Sequence, residues 1–338
     1  MDDDNQRIAS GSLLNDSEEA VEQSLRPTSF TEVVGREREK ENLRVMIESA
    51  RQRGAALDHI LFHGPPGLGK TSLAMVIAKE MGVGLHVTTG PAINKAGDLA
   101  AIVTSLEPNS ILFIDEVHRL RHPVEEILYP AMEDRAIDII IGKGPSAKTL
   151  RLDLPQFTIV AATTKLSMLS APLRDRFGID FRLDFYTEEE LAEIVQQKAQ
   201  KLGIIVHPDA AREIAKRSRM TARIAVRILK RVRDIAVVEG KHSVDLDSVL
   251  AGLKMLNIDE LGLDDIDRRL LHSLAVKFSG KPVGLGTLAA SISEEAATVE
   301  DVYEPFLLRR GLIERTPRGR AITDQGTVYI QTKNLTAL

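Results

Sequence analysis

Four short stretches combine residue types and spacings that could do chemistry. "GPPGLGKT" (64–71) fits G-x-x-x-x-G-K-[ST], set between an apolar run and a helical pattern. Glycines there let backbone N–H groups face an anion, and the helix N-terminus that follows favours negative charge. Lys70 suits the β- and γ-phosphates of a nucleotide, and Thr71 suits a Mg²⁺ ion. "ILFIDE" (111–116) ends an apolar run in two acids, forty-five residues beyond Lys70. Asp115 suits the shell of the same Mg²⁺, and Glu116 suits activation of an attacking water. Adjacent Asp and Glu point to hydrolysis as well as binding, so ATP and Mg²⁺ are the expected cofactors. "AATT" (161–164) ends the next run, where the hydroxyl of Thr163 or of Thr164 could sense the γ-phosphate. "APLRDRFG" (171–178) places Arg174 and Arg176 two positions apart, and arginine is a rigid phosphate-binding fork that keeps its charge. At the domain edge Arg176 suits a neighbouring subunit's γ-phosphate, which requires a closed ring. The other reading is that both arginines pair with local acids such as Asp175.

These residues need a scaffold, and the hydrophobic pattern supplies one. "HILFHG" (59–64), "GLHVTT" (84–89), "SILFID" (110–115) and "FTIVAATT" (157–164) read as buried strands. "KTSLAMVIAKEMG" (70–82) and "HPVEEILYPAMED" (122–134) read as helices. Apolar strands separated by helices predict an α/β domain with a mainly parallel sheet, covered on both faces. In such a sheet ligands bind at the carboxyl ends of the strands. Residues 136–155 break the rhythm with two strand-like arms around Gly142, Gly144 and Pro145, a protruding hairpin whose Ile139, Ile140 and Ile141 have no obvious covering helix. From Thr187 to about Leu256 the pattern is helical, opened by a capping box from Thr187 to Glu190. After "NIDELGLDD" come helical patterns at 264–278, 286–292 and 298–310, then two strand-like arms joined by Pro317–Gly319. Three helices and a hairpin is the order of a winged-helix domain.

The chain has 338 residues, 43% hydrophobic and 28% charged, enough for two or three domains. Its net charge is −5, but residues 1–24 carry seven acids against Arg7 alone, so the remainder sums to +1. That first segment reads as a flexible acidic lead-in. The acidic start is unlike a secretory signal, and no run of about 18 apolar residues suggests a membrane span. There is no cysteine, which excludes disulfides and thiolate metal sites and fits a cytoplasmic location.

With those residues in place, the chain resembles the AAA+ ATPases and, more narrowly, the RuvB family of bacterial Holliday-junction branch-migration motors. The resemblance covers about residues 25 to 325. It is carried by "ALDHILFHGPPGLGKT", "GDLAAIVTSLEP", "LFIDEVHRL", "VEEILYPAMED", "DIIIGKGPSA", "SAPLRDRFGI", "DELGLDDIDRRLL", "VEDVYEPFLL" and "RTPRGR". It implies an ATPase domain at 25–184, a helical lid at 185–256 and a winged-helix head at 257–338, after the 1–24 segment. It also implies a homohexameric ring on duplex DNA, loaded by RuvA at four-way (Holliday) junctions, with RuvC a further partner and no membrane. The activity implied is ATP-driven branch migration in recombination, DNA repair and the SOS response. The 136–155 hairpin matches the element that docks on RuvA. Residue by residue, Leu25 and Arg26 would line the nucleotide pocket and Tyr186 would contact base or ribose. Gly67, Lys70, Thr71 and Ser72 would hold phosphates. Arg176 matches the arginine finger, Arg223 the lid arginine that senses ATP, and Arg315 and Arg320 the DNA-contacting arginines of the wing. Glu133, Asp134 and Arg135 are further nucleotide-site candidates. The chain departs from the family's usual R-G-T-P-R-I-A-N-R at Met220, Ala222 and Val226, and has Ala296 and Arg36 where Arg and Gln are usual.

The DNA expectation also has a basis in the residues. Between 309 and 320 stand Arg309, Arg310, Arg315, Arg318 and Arg320 against Glu314, inside a 257–338 segment with ten bases and twelve acids. Phosphate contacts from such a wing would be sequence-independent and salt-sensitive. The patch lacks interleaved aromatics, which favours duplex over single strands. Arg219, Arg223, Arg227 and Arg231 recur every four residues, and of these only Arg223 has a motif reason. A clamp-loader-like or initiator-like ATP switch would share every phosphate motif. A protein unfoldase would need a pore-loop aromatic, which "TTGPAINKAGDLAA" (88–101) lacks. A non-enzymatic winged-helix regulator is disfavoured by Glu116.

Overall fold

The computed structural model describes residues 23–141 and 148–333. The acidic segment 1–22, the hairpin tip with Gly142, Gly144 and Pro145, and the side chains of Ile139, Ile140 and Ile141 lie outside what is described. The chain divides into two compact units, one with residues up to Gly64 and Gly69–Leu183, the other with Pro65–Leu68 and Asp184 onward.

In the first unit the apolar runs become strands β1 (Ile60–His63), β2 (Leu85–Thr89), β3 (Ile111–Asp115), β4 (Ala136–Ile141), β5 (Lys148–Asp153), β6 (Thr158–Thr163) and β7 (Ile179–Arg182). Five of them form one sheet in the order β2-β3-β6-β1-β7. Every pairing in it is parallel, with Leu61 opposite Ala161, Phe113 opposite Val160 and Phe62 opposite Phe181. Ile60, Leu61, Phe62, Leu112, Phe113 and Val160 are fully buried, as expected for strands covered on both faces. Helix Lys70–Met81 follows β1 and helix His122–Glu133 follows β3. Helices Glu37–Arg53 and Ala96–Thr104, and strand β7, are additions to the sequence-based expectation. The first was legible, because Leu43, Ile47 and Ala50 recur at helical spacing and are buried. β4 and β5 pair antiparallel from Ala136 opposite Asp153 to Ile141 opposite Lys148.

In the second unit, helix Glu188–Lys201 starts from the expected capping box: Thr187 accepts from Glu190 N–H while Glu190 accepts from Thr187 N–H. Helices Pro208–Lys216, Ala222–Val238 and Leu246–Met255 complete the lid. Gly252 lets two of them approach, since a Cβ there would lie 2.7 Å from Val232. Helices Asp265–His272, Leu285–Ser291 and Glu304–Arg309 then pack Leu270, Leu288, Phe306 and Leu307 into one core. The wing pairs β10 (Ile313–Thr316) with β11 (Gly319–Ile322), after the two-residue strands β8 (Ile205–Val206) and β9 (Ser243–Val244) of the lid. Val283 bridges β11 at Arg320 as a third arm. A final helix, Asp324–Thr332, lies beyond what the pattern predicted.

Candidate functional site

In the first unit, the carboxyl ends of β1, β3 and β6 bring the phosphate chemistry to one sheet edge. Gly64 follows β1 at φ 142°, where a Cβ would strike the Leu183 carbonyl at 2.4 Å. Gly69 (φ 87°) then caps a helix with no capping side chain, and the first-turn N–H groups of a helix lack intrahelical partners. That is an anion site by construction. Lys70 is buried and its Nζ donates to the Gly64 carbonyl at 2.8 Å. Thr71 Oγ1 lies 3.4 Å from Asp115 Oδ2, so hydroxyl and carboxylate face one small space. Ser72 lies in the same first turn, partly exposed. Among the described residues no group of three His, Cys, Asp or Glu could hold a metal. A divalent cation at Thr71 and Asp115 would therefore take its remaining ligands from phosphate and water, the usual habit of Mg²⁺.

Glu116 adopts φ 49°, which turns its half-exposed carboxylate out of the strand and toward Arg119 at 3.0 Å. Thr163 is fully buried. Its hydroxyl accepts from the Lys165 N–H at 3.0 Å and meets His118 Nδ1 at 2.9 Å. Thr163 thus already has two hydrogen-bond partners in the fold. Thr164, partly exposed one residue on, keeps the sensor role open. His118 was not singled out in the sequence, although it lies three residues after Asp115. Leu25 is buried, and Arg26 reaches Met75 Sδ at 3.3 Å on the phosphate-loop helix.

Arg176 lies at the opposite edge. Its segment joins the sheet through Gly178 N–H donating to the His59 carbonyl at 2.9 Å, just before β1 begins. Lys70 follows the other end of that four-residue strand, roughly 13 Å away at 3.3 Å per residue. The guanidinium donates to the Pro172 carbonyl (2.7 Å) and Glu133 (3.1 Å) and lies 4.5 Å over the Tyr129 ring. The local acid is therefore Glu133 and not Asp175. Glu133, Asp134 and Arg135 are exposed at this edge, with Asp134 3.5 Å from Arg151. Of the three, Glu133 is the one that pairs with Arg176, while Asp134 pairs with Arg151.

In the second unit, Pro65, Pro66, Gly67, Phe185, Arg223 and Ile224 line part of a cavity of about 130 Å³. Gly67 (φ 80°) sits so close to the lid that a Cβ would come within 3.1 Å of Arg223. Arg223 N–H points at the Gly67 carbonyl at 3.4 Å, and its side chain is exposed. Tyr186 is buried and its hydroxyl donates to the Leu68 carbonyl at 3.2 Å. Met220, where the family usually has glycine, takes φ 57°. That left-handed backbone costs a non-glycine residue roughly 1–2 kcal/mol. The turn nevertheless holds, because the Met220 carbonyl accepts from Tyr186 N–H at 3.2 Å. Arg219, one residue earlier, is buried. It donates to Asp264 and Asp267 at 3.2 Å each and packs over Tyr303 and Phe306.

The wing arginines differ from one another. Arg320 is mostly buried, 3.1 Å from Glu304 and 3.3 Å from Glu300. Arg315 also bonds Glu304 but remains half-exposed. Glu304 itself is fully buried and was invisible as a site residue, an acid on the inner face of an apolar helix. Arg318 at the turn is exposed.

Residues 25–183 match the family described as the Holliday junction DNA helicase RuvB P-loop domain. Residues 186–259 match the RuvB AAA lid domain and 260–331 the RuvB C-terminal winged helix domain. The solved structure of the Thermotoga maritima RuvB Holliday junction branch migration motor is 47% identical, with a TM-score of 0.83, over 91% of this chain and 98% of that one. A single-substitution variant of T. maritima RuvB is 48% identical at a TM-score of 0.84 over the same shares. The chain belongs to the RuvB family. It is thus an AAA+ P-loop ATPase with a lid and a winged-helix domain, as its motifs predicted. Two of the departures from the RuvB-family pattern are absorbed locally: Met220 keeps the turn before Arg223, and Ala222 opens the helix where proline is usual. Among the described residues no helix is long and apolar enough to cross a membrane.

Proposed function

We propose that this chain is an ATP-driven translocase that drives branch migration of Holliday junctions in recombination and repair. It works as a homohexameric ring on duplex DNA, is loaded by RuvA and shares the junction with RuvC in the cytoplasm. The observation that carries the ring is the separation of Lys70 and Arg176 to opposite ends of β1. A chain built this way completes a site only with a neighbour.

Within one site, Lys70, Gly67, Ser72 and the loop N–H groups bind the phosphates, while Leu25, Arg26 and Tyr186 flank the nucleoside. Thr71 and Asp115 hold Mg²⁺, which when bound neutralises charge on the β- and γ-phosphates. Glu116 accepts a proton from the water that attacks the γ-phosphorus, and ADP leaves in line. Thr164 and Arg223 sense the γ-phosphate. The neighbour contributes Arg176, flanked by its Glu133, Asp134 and Arg135. Arg315 meets duplex phosphates from the wing, a sequence-independent grip suited to moving along any DNA. The three matched regions act as motor, lid and DNA-binding head. The antiparallel arms of the 136–153 hairpin, with Thr149, Leu150 and Arg151 exposed on the second arm, support a docking role toward RuvA.

The test is to incubate the chain with ATP, a synthetic four-way junction and RuvA. Separated duplex arms that require ATP are expected. ATP turnover on DNA with an unmoved junction would favour the clamp-loader-like or initiator-like switch.

A further inference from the structure

We propose that His59 is the positioning residue for Arg176, seating both the segment that bears the arginine and the helix end that bears its carboxylate partner. The inference rests on the reading that Arg176 serves a neighbouring subunit.

Three bonds converge on this one residue. Its Nδ1 accepts the Ile159 N–H at 2.8 Å, which ties it to β6. That bond fixes the tautomer, so Nε2 carries the proton and faces the Met132 carbonyl at 3.3 Å. Met132 immediately precedes Glu133, the carboxylate that holds Arg176. The main-chain carbonyl of His59 accepts from Gly178, two residues after Arg176. Carboxylate and arginine therefore share one anchor, reached from two directions. Asp58 adds to the seat, since a Cβ on Gly178 would come within 2.9 Å of its own. The ring packs 6.0 Å from Phe157, at 49°.

A proton on Nδ1 would abolish the Ile159 bond, so the seat requires neutral imidazole. Burial pushes His59 below its ordinary value. The charged neighbours are Asp58, which favours protonation, and Arg135, which opposes it. The anchor thus stays neutral at physiological pH.

The test uses mixed rings, because a defect in the arginine's seat is felt by the neighbour and not by the chain's own phosphate loop. His59→Phe keeps an aromatic ring but loses both side-chain bonds. It should bind ATP within about twofold of the unmodified chain, yet hydrolyse on the order of 10²-fold slower, the cost of an Å-scale misplacement. Mixing it with Lys70→Ala, whose arginine is intact, should restore turnover, whereas mixing it with Arg176→Ala should not. His59→Asn, which places an amide oxygen near Nδ1, should recover part of the loss and serves if His59→Phe does not fold. Restoration of Arg176→Ala by Lys70→Ala is the control for the underlying reading. If that control works and neither His59 variant is restored, or if both hydrolyse normally, the positioning role is overturned. If the control itself fails, the trans reading falls first.

Discussion

The two ends of β1 carry opposite kinds of chemistry. At the carboxyl end, the metal and water groups sit loosely: Thr71 and Asp115 are 3.4 Å apart, and Glu116 is half-exposed on a left-handed turn. At the amino end, Arg176 is clamped by a carbonyl, a carboxylate and a tyrosine ring, with His59 behind them. Loose groups can reorganise around a substrate whose charge changes during reaction. A clamped arginine arrives already oriented and so loses little order when the phosphate is met. The same contrast recurs in the second unit, where exposed Arg223 stands four residues from locked Arg219, and half-exposed Arg315 stands opposite locked Arg320.

The comparison breaks most completely at the phosphate end. Lys70→Ala should abolish hydrolysis and weaken ATP binding. Glu116→Gln should bind ATP normally and hydrolyse at least about 100-fold slower. Steady-state turnover beside equilibrium nucleotide binding separates the two, and normal turnover by either variant would remove that residue from its role.

The threonine pair sharpens the comparison. Thr164→Val should slow hydrolysis and spare stability. Thr163→Val should instead cost about 1 kcal/mol of stability, because it removes the acceptor of the half-buried Lys165 N–H. Turnover and urea midpoints on both variants check this, and the reverse pattern would return the sensor to Thr163.

At the wing, Arg315→Ala should lower the log–log salt slope of duplex binding by about 0.9, one phosphate contact. Arg320→Ala should act mainly on stability, by about 1–3 kcal/mol, because buried Glu304 loses a partner. Equal slope changes would place both arginines on DNA.

A pH dependence sharpens the contrast at the locked arginine of the second unit. Burial pushes the Asp267 carboxyl up to about 7, against the opposing pull of Arg219. A raised carboxyl means the folded state holds a proton that the unfolded state releases near pH 4. Stability should therefore fall as pH rises from about 4 to 7, by at most about 1.4 kcal/mol per unit. Asp267→Asn should flatten that part of the urea-midpoint profile, and an unchanged slope would assign it elsewhere.

Much of this architecture could be read from the residues. The four central strands, the phosphate-loop helix, the Thr187 capping box and the wing turn follow local rules of period and capping, which one sequence displays in full. Partners brought together by the fold were not readable. Thr163 and Thr164 read alike, because His118 and the Lys165 amide on the Thr163 hydroxyl leave no mark in the sequence. Glu133 was legible as a helix end but not as the acid of Arg176, forty-three residues away. The hold of Glu304 on Arg320 was hidden as well, because a buried acid carries no signature in an apolar helix.

The central claim is that each chain supplies phosphate loop and arginine to different sites, and mixing two dead variants tests it most directly. Arg176→Ala alone should bind ATP but hydrolyse roughly 10³-fold or more slower. Lys70→Ala alone should be inactive. In mixed rings, an intact phosphate loop on the Arg176→Ala chain can meet an intact arginine on its Lys70→Ala neighbour, so hydrolysis should reappear and peak at intermediate ratios. Absence of any restored turnover, in rings shown to contain both chains, would contradict the account and place Arg176 in its own subunit's structure.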